Sequence, residues 1–148
     1  MTHERSTNAI IATLQDVVAI PSVNPGLPGG TDGESGMAEY LTCFFADAGI
    51  LCEQWEALPG RPNVLATLPG RDSTRAILFE CHMDTATAEG MTIEPFDPIV
   101  KDSKVFGRGA CDTKAGGVAM LHAMLRIVDS GEPPPLSVMS VSYTHLPL

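Results

Sequence analysis

The chain has 148 residues, the size of one domain or of part of a larger one. It is 44% hydrophobic and 18% charged, with a mean hydropathy of +0.11, which excludes a disordered polymer. Lys and Arg total 9 against 18 Asp and Glu, so the formal charge is −9, which argues against nucleic acid and an anionic membrane surface as partners.

No apolar run approaches the roughly 18–20 residues needed to span a bilayer. The first residues, Met1 to Ser6, are polar and mixed in charge, unlike a secretory leader. The first predicted helix runs from about Asn8 to Ala19. Ile10, Ile11, Leu14, Val17 and Val18 recur at helical spacing, and Ser6, Thr7 or Asn8 can cap it. Ile20-Pro21-Ser22 ends it, because a residue before proline avoids the α region. A Pro/Gly loop follows from Pro25 to Gly33. A second helix spans about Ser35 to Ala48, with Met37, Leu41, Phe44 and Phe45 on one side and Gly49 as its stop. The period then changes. Ile50 to Trp55 and Asn63 to Leu68 read as strands, with a turn at Leu68 to Asp72. Ala76-Ile77-Leu78-Phe79 is a short apolar run, as expected of a strand buried on both faces. Lys114 to Val128 is a third helix, ended by Gly131 and Pro133-Pro134-Pro135. Leu136 to Val141 reads as a last strand, expected to be left at an unpaired edge. Helices alternating with buried strands predict an α/β layered domain.

The cysteines are Cys43, Cys52, Cys81 and Cys111. They form no C-x-x-C pair and read as free thiols of a cytoplasmic protein.

Two stretches carry chemistry. Phe79-Glu80-Cys81-His82-Met83-Asp84-Thr85 stands at the C-terminal end of the apolar run, the edge where ligands collect in open α/β sheets. His82 and Asp84 are two apart and point the same way in extended backbone, while Cys81 points into packing. A carboxylate beside an imidazole can accept its second N–H and fix its tautomer. Taken alone, the pair equally describes a surface histidine with an unrelated aspartate. The second stretch runs from Phe106 to Gly117 and places Asp112 just before a helix, behind Gly107 and Gly109. Asp112 there suits a bridge between two cations, or merely a helix cap. The spacing matches neither a Walker loop nor a dinucleotide fingerprint.

Together these stretches resemble the zinc-dependent amidohydrolase and exopeptidase family of aminoacylase, acetylornithine deacetylase, succinyl-diaminopimelate desuccinylase and carboxypeptidase G. The matching residues are Leu78 to Thr85, Glu94-Pro95-Phe96-Asp97-Pro98 and Phe106 to Lys114. Ile20 to Pro25, Gly33-Glu34 and Arg61-Pro62-Asn63-Val64 add support. The resemblance runs from about Asp16 to Val141. It implies a three-layer α/β/α catalytic domain, incomplete here. It also implies two divalent metal ions, zinc first and cobalt second. His82 looks like a terminal metal ligand, Asp112 like the bridging carboxylate, and Asp84 like the catalytic carboxylate that orients His82. The peptide after Asp112 is cis in the family. Cys81 departs from the Gly, Ser or Ala usual before the histidine, and the tryptophan usual before the Pro-Phe pair is missing.

The implied reaction is hydrolysis of an amide bond in an N-acyl amino acid or small peptide, by a cytoplasmic enzyme that is a homodimer at full length. The resemblance places the general base in a Glu-Glu pair after the last strand, where this sequence reads Ser142 to Leu148. Residues 1–141 are therefore expected to be the first part of the catalytic domain. Residues 142–148 are expected to be a foreign or truncated tail, with the lid or dimerisation domain absent. On that expectation the chain binds metal weakly and hydrolyses nothing alone. His145 lies in the suspect tail and is not read as a ligand, and His3 and His122 are read as surface or helix-face residues. A reading of another class is a non-catalytic binding protein, or a decayed gene product, that keeps the first part of the fold.

Overall fold

The computed structural model of the chain describes residues 6–31 and 33–143. Helix α1 (Thr7–Ala19) starts at Ser6, whose hydroxyl accepts from the Ala9 N–H at 3.3 Å. It stops at Ile20, extended before Pro21. Helix α2 (Ser35–Asp47) ends at Gly49, which takes the left-handed conformation (φ +69°) that lets its N–H reach the Ala46 carbonyl. Helix α3 (Ala115–Asp129) closes in the same way at Gly131. Among the described residues no helix is long and apolar enough to cross a membrane.

Strands β1 (Leu51–Leu58), β2 (Arg61–Leu68), β3 (Asp72–His82) and β6 (Leu136–Tyr143) form one mixed sheet in the order β1-β2-β6-β3. β2 runs antiparallel to both β1 and β6, and β3 runs parallel to β6. A two-stranded ribbon of β4 (Ile99–Lys101) and β5 (Lys104–Phe106) lies in the connection between them. Pairing register sorts the side chains. Cys52, Ala66, Ser140 and Phe79 form a row on one face, and Leu51, Thr67, Met139 and Leu78 a row on the other. The first face carries the helices. Val64, Ala66, Phe45 and Met124 are fully buried there, and Val17, Leu41 and Leu121 nearly so. The second face keeps Leu51 62% and Leu78 55% exposed. The architecture is mixed α/β with one helical layer on the sheet, rather than two, among the described residues.

Three expectations are corrected. The run Ala76–Phe79 belongs to an eleven-residue strand and is not buried on both faces. Ile77 is 48% exposed at the edge of the sheet, and Leu78 is 55% exposed because its face carries no helices. The last strand is not an edge; β6 is paired on both sides, and β1 and β3 are the edges. It also runs two residues past Val141, because Ser142 and Tyr143 pair with Cys81 and His82. The ribbon β4–β5 was not expected. Its two-residue turn uses Asp102 and Ser103 at φ +50° and +59°, a primed turn without the glycine that usually signals one.

His122 is not on the surface. It is 6% exposed, and its Nε2 lies 3.0 Å from the Thr13 hydroxyl, tying α3 to α1. His3 and His145 lie outside the described residues. The four cysteines are unpaired, as expected.

Two predictions follow from this packing. Phe45→Ala should lower unfolding free energy by about 3–5 kcal/mol in urea melts, because it opens a cavity between α2 and the sheet. Tyr40 on α2 donates to the Asp16 carboxylate on α1 over a long 3.4 Å, and burial first, then that carboxylate, push its phenol from 10.0 up to about 12. A phenol harder to ionise when folded stabilises the fold below pH 10.0 and loses that contribution as pH rises towards about 12. Tyr40→Phe should therefore flatten the alkaline loss of stability in melts compared at about pH 9 and about pH 11.

Candidate functional site

Parallel pairing brings the C-terminal ends of β3 and β6 side by side, with His82 directly opposite Tyr143. The chain leaving β3 is held in place. Met83 N–H donates to the Tyr143 carbonyl at 2.8 Å. Thr85 N–H donates to the Ser22 carbonyl at 2.8 Å, and Asn24 N–H returns a bond to the Thr85 carbonyl at 3.0 Å. The buried Ser22 hydroxyl donates to the Met83 carbonyl at 2.9 Å. The segment after α1 thus runs as a short parallel bridge beside residues 83–85.

His82, Asp84 and Asp112 come together as expected. His82 Nδ1 lies 2.9 Å from the Asp84 carbonyl oxygen and 3.3 Å from Asp84 Oδ1. Its Nε2 lies 3.2 Å from Asp112 Oδ1. The two oxygens on Nδ1 favour a proton there. With the proton on Nδ1, Nε2 presents its lone pair towards a carboxylate oxygen, an arrangement that a cation between the two would satisfy. Donors each about 2.0–2.2 Å from one zinc ion are roughly 3–3.5 Å from one another. The observed separation falls in that span, so the pair fits a metal. The set is partial: among the described residues no three His, Cys, Asp or Glu side chains are placed to hold one metal ion, whereas catalytic zinc takes three protein ligands.

Local structure sets Asp112. It lies in a one-turn segment, Ala110–Lys114, with non-helical angles at Asp112 and Thr113. The Asp112–Thr113 peptide is cis, matching the resemblance. The Asp112 side chain is 85% exposed and lies over the sheet end. Gly109 stands before it at φ +77°, and a Cβ there would lie 2.6 Å from Thr85 Cγ2. Cys81 packs away from the metal pair. Its Sγ is 2.7 Å from the Thr113 hydroxyl, and burial pushes its thiol up, as suits a side chain without acid–base work.

Several groups around the site were not assigned roles from the sequence. Lys114, 4% exposed, donates from Nζ to the Val17 and Ile20 carbonyls at 2.6 and 2.8 Å. Burial pushes its ammonium down to about 8. Glu34 is fully buried and receives the Arg61 guanidinium as a two-pronged ion pair. That hydrogen bond, reinforced by the charges of Glu34 and Asp84, pushes Arg61 up against the opposing effect of burial. Asn24 Nδ2 donates to Asp84 Oδ2 at 2.8 Å. Tyr143 sets its ring edge-on to His82, centroids 6.5 Å apart, and burial followed by nearby negative charge pushes its phenol up. Asn24, Glu34 and Arg61 lie in the weaker stretches of the resemblance. No local pattern marks them, because their partners are distant in sequence.

Known proteins share this sequence pattern and fold. The sequence pattern of peptidase family M20/M25/M40 matches residues 78–142. The chain is 29% identical over 126 residues to an N-formyl-4-amino-5-aminomethyl-2-methylpyrimidine deformylase of Halalkalibacterium halodurans, covering 82% of this chain and 29% of that protein. It is 32% identical over 122 residues to a succinyl-diaminopimelate desuccinylase of Gluconacetobacter diazotrophicus, covering 79% and 29%. Human carnosine dipeptidase 1 shares the fold, with a TM-score of 0.77 at 21% identity over 93% of this chain and 32% of that one. The chain spans about a third of the length of these relatives. The match covers the end of β3, the glycine loop, α3 and most of β6, the segments that carry His82 and Asp112. Over residues 78–142 the chain matches peptidase family M20/M25/M40, and its relatives support an enzyme of a metallohydrolase family.

Proposed function

We propose that this chain supplies one side of a two-metal centre that hydrolyses the amide bond of an N-acyl amino acid or small peptide. The observation that carries this reading is the facing of His82 Nε2 and Asp112 Oδ1 at 3.2 Å, with the opposite ring nitrogen already held by Asp84. His82 would be a terminal ligand of one metal, Asp112 the carboxylate shared by both, and Asp84 the group that orients His82. Zinc is the first choice and cobalt the second, because imidazole and carboxylate suit either.

When bound, the metals supply an activated water and polarise the scissile carbonyl. The chain's own residues prepare that chemistry. Asp84 and its backbone carbonyl keep the proton on Nδ1, so Nε2 presents its lone pair. Asp112, mostly exposed, offers a second oxygen to the open side of the site. The resemblance assigns the general base to a glutamate of a Glu-Glu pair after the last strand, which would take a proton from the water and pass it to the leaving amine. The relatives' names, deformylase and desuccinylase, support a small acyl group on nitrogen as the bond attacked. We place the enzyme in the cytoplasm, as a homodimer at full length, with residues 1–141 as the first part of its catalytic domain.

With two donors among the described residues, the chain should bind zinc weakly and release no amino acid from an N-acyl substrate. That count is also the one observation favouring a binding protein without chemistry. Zinc titrations separate the readings. His82→Ala and Asp112→Ala should each weaken zinc binding by more than about tenfold in calorimetry, while leaving the melting temperature of the metal-free chain within a few degrees. Zinc binding unchanged in both variants would remove the metal centre. Metal-dependent hydrolysis by the 148-residue chain itself would show that these donors suffice.

A further inference from the structure

We infer that Asn24 is a positioning residue for His82, acting through Asp84. The inference rests on the metal reading above and extends it to a residue 60 positions away from its partner in sequence.

The argument begins with the backbone. Val23 pairs with Thr85 as a parallel bridge, and Asn24 N–H is bound to the Thr85 carbonyl, so the Asn24 Cα has little freedom beside Asp84. The side chain is fixed next. Its Oδ1 accepts from the Gly26 N–H at 2.9 Å, which identifies the other end of the carboxamide as the donor. That donor, Nδ2, lies 2.8 Å from Asp84 Oδ2. Asp84 therefore has one oxygen pinned by Asn24 and the other 3.3 Å from His82 Nδ1. A carboxylate pinned at one oxygen cannot swing freely about its terminal torsion. With its side chain 21% exposed, Asp84 would otherwise share its time between His82 and water.

The Asp84 backbone carbonyl also accepts from Nδ1, at 2.9 Å, and does so whatever residue 24 is. The proton on Nδ1 therefore survives loss of Asn24. What Asn24 adds is a negative charge held in one direction against the ring, which raises the ring's basicity towards a cation on Nε2. The effect should accordingly be smaller than removal of Asp84 itself.

The test is a zinc titration of the 148-residue chain, read on the His82 ring nitrogens by long-range proton–nitrogen NMR. Asn24→Ser keeps a hydroxyl that can accept from Gly26 N–H and preserve the turn, but is too short to reach Asp84. It should raise the zinc concentration needed for half the His82 shift by about threefold to tenfold, against about tenfold or more for Asp84→Ala. In the Asp84→Ala background, Asn24→Ser should add less than about twofold, because a residue acting only through Asp84 has nothing left to position. Equal zinc response in Asn24→Ser and the native chain overturns the inference and leaves the metal reading intact. Equal losses in both backgrounds overturn it too, as they mark a general effect on the loop. Absence of any zinc response at His82 in the native chain overturns the metal reading, and the inference with it. A further measurement needs no substitution at position 24. The Asn24 side-chain amide protons should occupy a hydrogen-bonded, downfield position that is lost in Asp84→Ala, and an unchanged position would refute the contact.

Discussion

Two parallel neighbours in a sheet cannot be joined by a tight turn, because the chain must return to the starting end before running the same way again. β3 and β6 are such neighbours, and the return path between them carries the ribbon β4–β5, the glycine loop and α3. A helix that brings the chain back along the sheet begins near the C-terminal end of the first strand. The residue preceding α3 is therefore delivered to the end of β3. That is where His82 and Asp112 meet, 30 residues apart in sequence and 3.2 Å apart in space. The site is a consequence of the crossover, and the glycines let the loop pass close enough to Thr85 and Val18 for the two side chains to face each other.

Buried polar groups keep that end of the sheet rigid. The last carbonyls of α1 have no partner within the helix, and α1 ends beneath the glycine loop with no basic residue in its own last turn. Lys114 supplies the missing donors from the start of α3, so one ammonium joins the end of one helix to the start of another. The favourable end of the α1 dipole and two carbonyl bonds offset the desolvation that pushes Lys114 down. Glu34 and Arg61 do the same between the start of α2 and β2. Removing one partner of such a pair strands a buried charge and costs about 3–5 kcal/mol, far more than the pair itself contributes.

How much of this was legible in the sequence follows from the range of each interaction. The three helices were legible, because their apolar spacing, the Ser6 cap and the Gly49 and Gly131 stops are local signals. Strand identity was legible at β1, β2, β3 and β6, but burial was not. Ile77 and Leu78 read as core on hydrophobicity alone, whereas exposure depends on which strand lies at the edge and which face carries the helices. The ribbon β4–β5 turns without glycine and so carries no turn cue. At the site, His82, Asp84 and Asp112 were legible as motif residues, and the structure brings all three together. Asn24, Lys114 and Arg61 were written in the same stretches but without roles. Their partners are set by tertiary contacts that no spacing rule encodes.

The apolar face without helices and the incomplete donor set are related by the geometry of one strand. Side chains alternate along β3, so Leu78, Glu80 and His82 share the face opposite Phe79 and Cys81. Leu78, 55% exposed, and His82 are four residues apart, roughly 13 Å along the strand at about 3.3 Å per residue. The Asp112 carboxylate is open to solvent, and the helices occupy the other face. A further donor to the His82–Asp112 pair has room to approach over this open side or from beyond the C-terminal end of the sheet. An approach over the open side would also shield Leu78, which shares a face of β3 with His82.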